Sequence, residues 1–381
     1  MSGKSLRIGI AGAGLLGRLL AWTLSHQGHQ VSVFDPAAGP QPAHDGHGAA
    51  GFTAAGMLSP LAELETAEPD VAGRGWHSIE RWAQITEALA ARVSPAPSFS
   101  RRGSLMVAHG SDLGAARRVL ARLDISGPAF AHAAQPPEAL SASQLQQLEP
   151  CLHGTSGPLH AWMLHGEGHI DSVRTLQALH DDARGVQWHW SRTVHGVTPH
   201  TLNHRDTLGC DERTQHFDLV LDVRGTGARP DLPVRGVRGE VVWLHAPGIG
   251  LQRPVRLLHP RHRVYIVPRP GDVVLIGASE IESEDRSPMS LRSAVELMAA
   301  AHSIIPELAE ARILRMDVNL RPALPDHRPQ IQIEPGLVRI NGLYRHGWLL
   351  APSIMDEALT QAGLISEQWG ALQPDEVAAP H

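Results

Sequence analysis

The sequence predicts an α/β fold: a Rossmann-like unit at the N-terminal end, joined to a second, α+β part whose sheet is largely antiparallel. Three observations predict it. Residues 7–35 read as strand, glycine turn, helix and strand, closed by an acid. A second apolar strand, residues 217–223, runs into another glycine pair, Gly225 and Gly227. Between residues 238 and 277, short β-rich runs are separated by turn residues, as in an antiparallel sheet.

In the first unit, Ile8, Gly9, Ile10 and Ala11 form a short apolar run. Gly12-Ala13-Gly14-Leu15-Leu16-Gly17 fits G-x-G-x-x-G, Leu16, Leu20 and Leu24 recur at helical spacing, and residues 31–34 alternate like a strand. Gly12 permits a tight turn, Gly14 lets backbone approach a pyrophosphate, and Gly17 lets the helix pack close to the strand. The helix N-terminus offers unpaired N–H groups and a partial positive charge to phosphates. Asp35, eighteen residues beyond Gly17, stands where an acid accepts hydrogen bonds from both ribose hydroxyls of an adenosine. That favours a free 2′-OH, and so FAD or NAD rather than NADP.

A Pro-, Ala-, Gly- and His-rich loop follows Asp35. The small residues of 49–60, among them Ala54, Ala55, Gly56 and Met57, let backbone come close to something large and flat, and Pro60 stops any long helix. Residues 76–93 carry Ile79, Trp82, Ile85 and Leu89 on one helical face. A strand is expected at 103–108, and helices at 113–123 and 141–148. Asp171 is a natural N-cap for a helix over 172–183. Residues 186–190 and the segment around Val194 read as short strands. A helix at 290–305 has a Ser cap and ends at Pro306. A polar loop holding Asp326 and Pro329 precedes a strand over 337–342. The terminal helix is expected at 355–369, after Pro352, and the tail beyond Gln373 reads as disordered.

Composition narrows the function. A net charge of −6 without a basic block argues against nucleic acid as a partner. The cysteines, Cys151 and Cys210, have neither metal nor redox spacing, which suits a reducing compartment. No apolar run is long enough to span a membrane. These features predict a cytoplasmic protein. The 24 histidines are scattered, and His165 and His169 read as solvated surface residues, so no metal site is expected.

Several motifs occur together and in order: the N-terminal unit, Ala54 to Leu58, Gly239-Glu240, Tyr265 to Arg269, Leu320-Arg321-Pro322, and Tyr344 to Pro352. Their order and spacing resemble the D-amino-acid oxidase superfamily, and within it the glycine oxidase group, which includes the thiamine-pathway enzyme. The resemblance implies a glutathione-reductase-type FAD-binding domain assembled from residues 1–92, 155–234 and 316–381. A substrate domain of residues 93–154 and 235–315 would cover the flavin. FAD would be non-covalent, since no cysteine follows Cys210 to form the thioether of the sarcosine oxidases. Ala54 to Met57 would line the pyrophosphate and the ring, and Val194 the adenine side. Gly225 and Gly227 would form a second turn against the dinucleotide. Arg345, His346, Gly347, Trp348, Leu349 and Leu350 would run beside the flavin. Arg321 matches the arginine that grips the substrate carboxylate, Tyr265 a tyrosine that assists it, and Arg345 a second pocket arginine.

The implied reaction is oxidative deamination of a small amino acid (glycine, sarcosine or a small D-amino acid) to an oxo acid and ammonia. Hydride passes to the flavin, and O2 is reduced to H2O2. Competing readings are a dehydrogenase using a quinone or protein acceptor, a relative of the module that trims modified tRNA wobble uridine, and a non-catalytic flavoprotein subunit. A plain NAD dehydrogenase would leave the C-terminal motifs unexplained. Homo-oligomerisation is left open. Four positions depart from the pattern: Arg263 replaces histidine, Arg345-His346-Gly347 replaces Arg-Asn-Gly, Asp317-Val318-Asn319 replaces a more apolar lead-in, and Arg224 replaces a small residue. They predict a more polar pocket.

Overall fold

The computed structural model describes residues 5–123, 125, 135–155, 157–259 and 263–365. A six-stranded sheet runs in the order Gln330–Glu334, Leu337–Asn341, Leu219–Asp222, Arg7–Ala11, Gln30–Phe34, Gln187–His189. All its pairings are parallel except that of the two strands nearest the C-terminus. Its central strands are buried on both faces, which is why they read as continuous apolar runs. Helices Leu15–His26, Pro69–Ala90, Ser172–Asp182 and Gly347–Gln361 share one hydrophobic core with it.

An eight-stranded sheet forms the second layer. Its order is Arg312–Ala323, Arg235–His245, Val273–Gly277, Arg263–Arg269, Val255–Leu258, Ser104–His109, Leu159–Leu164, Glu138–Leu140. Only the pairing of Val255–Leu258 with Ser104–His109 is parallel. Helix Leu291–Ile304 buries its apolar face against this sheet. Strands Leu159–Leu164 and Arg312–Ala323 take their ladder partners here, so domain boundaries drawn at 155 and 316 cut across the sheet.

Both expected caps are present. The Asp171 carboxylate accepts from Arg174 N, and the Ser290 hydroxyl accepts from Ser293 N. No long helix runs through Pro60, which instead opens a one-turn helix, Pro60–Glu63, where its missing N–H costs nothing. One expectation is corrected. His169 is buried, while His165 is half exposed and pairs with Glu138. Residues 317–322, for which the sequence carried no assignment, belong to a twelve-residue strand.

The terminal helix begins at Gly347, eight residues before the expected start, and keeps Pro352 inside it. Proline has no N–H to donate, which frees the Trp348 carbonyl. The indole N–H of Trp82 donates to that oxygen instead, at 2.8 Å. Ser353 N donates to the Ser78 hydroxyl at 3.2 Å. Both partners stand on Pro69–Ala90, so a neighbouring helix satisfies what the proline disrupts. The tail beyond Gln373 lies outside the described residues.

Candidate active site

A cavity of ≈ 460 Å³ lies where the two sheets meet, and both contribute to its walls. Its first end is built from backbone. The opening strand stops at Ala11, and Gly12 turns with φ +103°, where a Cβ would stand 2.8 Å from Val223 O. A Cβ on Gly17 would come within 1.9 Å of Gly12 O, so the helix sits as close to the turn as backbone allows. Gly14 caps the helix without a side-chain acceptor, leaving first-turn N–H groups for an anion. The Asp35 carboxylate accepts from Ala13 N at 2.6 Å and Ala37 N at 2.9 Å. Burial raises its pKa against the pull of those amides. Arg18 is buried behind the turn and donates to the carbonyls of Ala13, Leu176 and Pro40.

The second glycine turn is tied from two sides. Asn341 donates to Gly225 O at 2.9 Å. Arg224 pairs with Asp222 and Asp231 and donates to Val194 O. Its departure from a small residue thus serves the framework. Gly12, Gly14, Leu15, Leu16, Asp35, Ala54 to Met57, Val194, Gly225, Gly227 and Arg345 to Leu349 all line the cavity. Ala13, Gly17 and Leu350 do not. Ala13 N–H is committed to Asp35, Gly17 faces the Gly12 carbonyl, and Leu350 is fully buried.

The other end is built from side chains. Arg321 crosses the sheet and lies over Gly239, where a Cβ would stand 2.5 Å from its guanidinium atoms. It donates to Arg238 O at 3.2 Å and Ser279 O at 3.1 Å, and it pairs with no acid among the described residues. Tyr265 lies over Gly277 in the same manner, at 2.6 Å from where a Cβ would be. Burial raises its pKa, so the phenol keeps its proton. Two bare positions on one sheet face thus leave room for the two candidate substrate residues to lie flat.

Arg345 is differently placed. It pairs with Glu63 at 2.9 Å and Glu280 at 3.4 Å, and it bonds the Thr66 hydroxyl. Glu63 also receives Arg256 at 3.0 Å. Burial works to raise the Glu63 pKa, but His346, Arg256 and Arg345 outweigh it and hold the carboxyl well below the ordinary range. Burial drives His346 itself towards the neutral form, so the arginines carry most of this pairing. Tyr344 donates to Glu280 at 2.7 Å. Sequence reasoning missed Glu63, Arg256, Ser279 and Glu280. Ser279 and Glu280 lie two and three residues beyond an apolar strand ending at Gly277, where functional groups often collect. Glu63 carried no local signal.

The glycine turns, the uncapped helix and Asp35 fit a dinucleotide, while the charged end leaves room for a small ionic molecule. Fold and site together define a flavin-type dinucleotide-binding oxidoreductase. The model of the FAD dependent oxidoreductase family (DAO) matches residues 7–358, and the chain belongs to that family, whose members use FAD. A protein of Rhizobium etli provisionally named thiamine biosynthesis oxidoreductase ThiO is 36% identical over 364 residues, covering 95% of this chain and 98% of its own. The glycine oxidase of Geobacillus kaustophilus is 25% identical over 368 residues, covering 91% and 89%. Among solved structures, iminodiacetate oxidase from Chelativorans sp. BNC1 superposes with a TM-score of 0.76 at 23% identity, covering 98% of this chain and 99% of that one. No helix among the described residues is long and apolar enough to cross a membrane, and no group of three or more metal-ligating side chains occurs among them.

Proposed function

We propose that this enzyme oxidatively deaminates a small amino acid (glycine, sarcosine or a small D-amino acid): a hydride leaves the substrate, water hydrolyses the resulting imine to an oxo acid and ammonia (methylamine from sarcosine), and O2 is reduced to H2O2. The observation that carries the reading is Arg321. It is a guanidinium on the cavity wall, held by two carbonyls and left without an acidic partner among the described residues. The names of the relatives from Rhizobium etli and Geobacillus kaustophilus support the same reading, the first with a place in thiamine synthesis.

FAD, held non-covalently by the glycine turns at Gly12 and Gly225 and by Asp35, would supply the hydride-accepting and oxygen-reducing chemistry. Arg321 takes the substrate carboxylate through its remaining N–H groups, a charge-assisted contact that gains strength as water is excluded. The Tyr265 hydroxyl donates to the same carboxylate, and its raised pKa keeps that proton in place. Arg345, pinned by Glu63 and Glu280, acts here as part of the wall rather than as a second carboxylate ligand. Positioning and electrostatics are the protein's contribution.

Arg321→Ala is expected to retain FAD and to raise KM by about 10- to 100-fold, the loss of one charge-assisted contact. Oxygen consumption and anaerobic flavin bleaching with glycine, sarcosine, D-alanine and D-proline would measure it. Unchanged kinetics would remove the carboxylate role. Bleaching without oxygen uptake would assign a quinone or protein acceptor instead.

A further inference from the structure

The charged end of the cavity does not stop at the substrate residues. Arg256 and Tyr265 face each other directly across neighbouring strands, and Arg263 lies two residues from Tyr265 on the same sheet face. In sheet order, the strand of Tyr265 lies between those of Arg321 and Arg256. The phenol therefore lies between Arg321 on one side and Arg256 on the other, with Arg263 two residues along its own strand. Arg256 and Arg263 also form the wall shared with a second cavity of ≈ 220 Å³, into which Arg118 and Arg122 face.

Charge is not balanced there. Glu63 is shared between Arg256 and Arg345. Glu65 stands 3.8 Å from Arg256 and 3.6 Å from Arg263, long for an ion pair. Arg118 and Arg122 pair with no acid among the described residues, and Arg122 reaches only the Glu65 carbonyl, at 3.5 Å. The Arg256 Nε–H is buried and has no acceptor. A buried donor left unmatched is costly and marks a place where a ligand oxygen is expected. In a chain of net charge −6, this is a local excess of cations beyond the one that the α-carboxylate on Arg321 would neutralise.

We propose that Arg256 and Arg263, continued by Arg118 and Arg122, form a second anion subsite, and that the preferred amine substrate carries a second negatively charged group. This rests on the deaminase reading above. A second carboxylate on the side chain or on the amine nitrogen has the required chemistry. It accepts from the fork of Arg263 and from Arg256 Nε while the α-carboxylate stays on Arg321.

The test compares kcat/KM of the purified holoenzyme for glycine and D-alanine with that for iminodiacetate, D-aspartate and D-glutamate, with flavin bleaching followed anaerobically. At least one dicarboxylate is expected to exceed its monocarboxylate counterpart by tenfold or more. Arg263→Ala should cut that preference at least tenfold. The double variant Arg118→Ala/Arg122→Ala should lower it about threefold, a smaller loss because both arginines stand outside the first cavity. Bleaching by glycine with no dicarboxylate preference, or a preference untouched by Arg263→Ala, would overturn the subsite alone. Bleaching by none of these amines would overturn the deaminase reading, and the subsite with it.

Discussion

The two ends of the cavity are made of different materials. At the nucleotide end the walls are backbone: glycines at 12 and 14, backed by Gly17 behind the turn, a second glycine pair at 225 and 227, and a capless helix. At the substrate end they are long charged side chains from several strands, braced against one another. Backbone walls yield little, because the turns are held by close backbone contacts such as that of Gly17 with the Gly12 carbonyl. Side-chain walls hold their shape only while every partner keeps its charge. The first arrangement suits a cofactor that is always the same, and the second suits discrimination among small polar molecules.

Three variants would break or sharpen this contrast. The largest effect is expected at Gly17. A methyl group there meets the Gly12 carbonyl at 1.9 Å, and neither backbone can move away without dismantling the turn. Gly17→Ala should cost about 3 kcal/mol and yield protein without bound flavin, read from thermal melts and the visible absorbance of the purified protein.

Glu63→Gln comes next and tests the other end. It leaves Arg256 and Arg345 without their shared carboxylate, at a cost of about 3 kcal/mol, with flavin still bound. Its pH dependence has a definite sign. The folded-state pKa of Glu63 lies below the ordinary value of 4.5, so the unfolded chain binds the extra proton first as pH falls. The stabilisation is complete above pH 4.5 and is lost progressively below it. The wild-type acid-unfolding limb should therefore be steeper than that of Glu63→Gln. Parallel limbs would show that the cluster contributes nothing to folding.

Gly239→Ala should be the mildest. The obstructed atoms are the far end of a flexible side chain, so Arg321 can shift. KM is expected to rise about tenfold, with kcat within threefold and melting temperature nearly unchanged. An unaltered KM would show that the guanidinium does not depend on the bare position beneath it.

The same contrast explains what was legible in the sequence. The N-terminal unit is contiguous, its periods are clean, and its acid falls at a fixed distance, so its strand, turn and helix can be read residue by residue. The caps at Asp171 and Ser290 are equally local. The ionic cluster is not, since Glu63 meets Arg256 across 193 positions and Arg345 across 282. Arg345 stood out only through its motif, and Arg256 does not differ in sequence from an arginine on the surface. Pro352 misleads for a related reason. Locally it ends a helix, and only Trp82 and Ser78, on a helix far away in sequence, make its place inside one tolerable. The Arg321 and Tyr265 motifs stood out through family resemblance, whereas the bare sheet positions beneath them needed the structure.

The order of strands in the six-stranded sheet also sets a timetable. The first strand lies mid-sheet, and Arg7 reaches a partner at Asp218, 211 positions on. A ribosome adding about 5–20 residues per second needs on the order of 10–40 s to supply that neighbour. During this interval one flank of the nascent strand is uncovered, a template for pairing with other newly made chains. Recovery of soluble enzyme should therefore respond strongly to growth temperature and chaperone supply, even for variants whose finished structure is untouched.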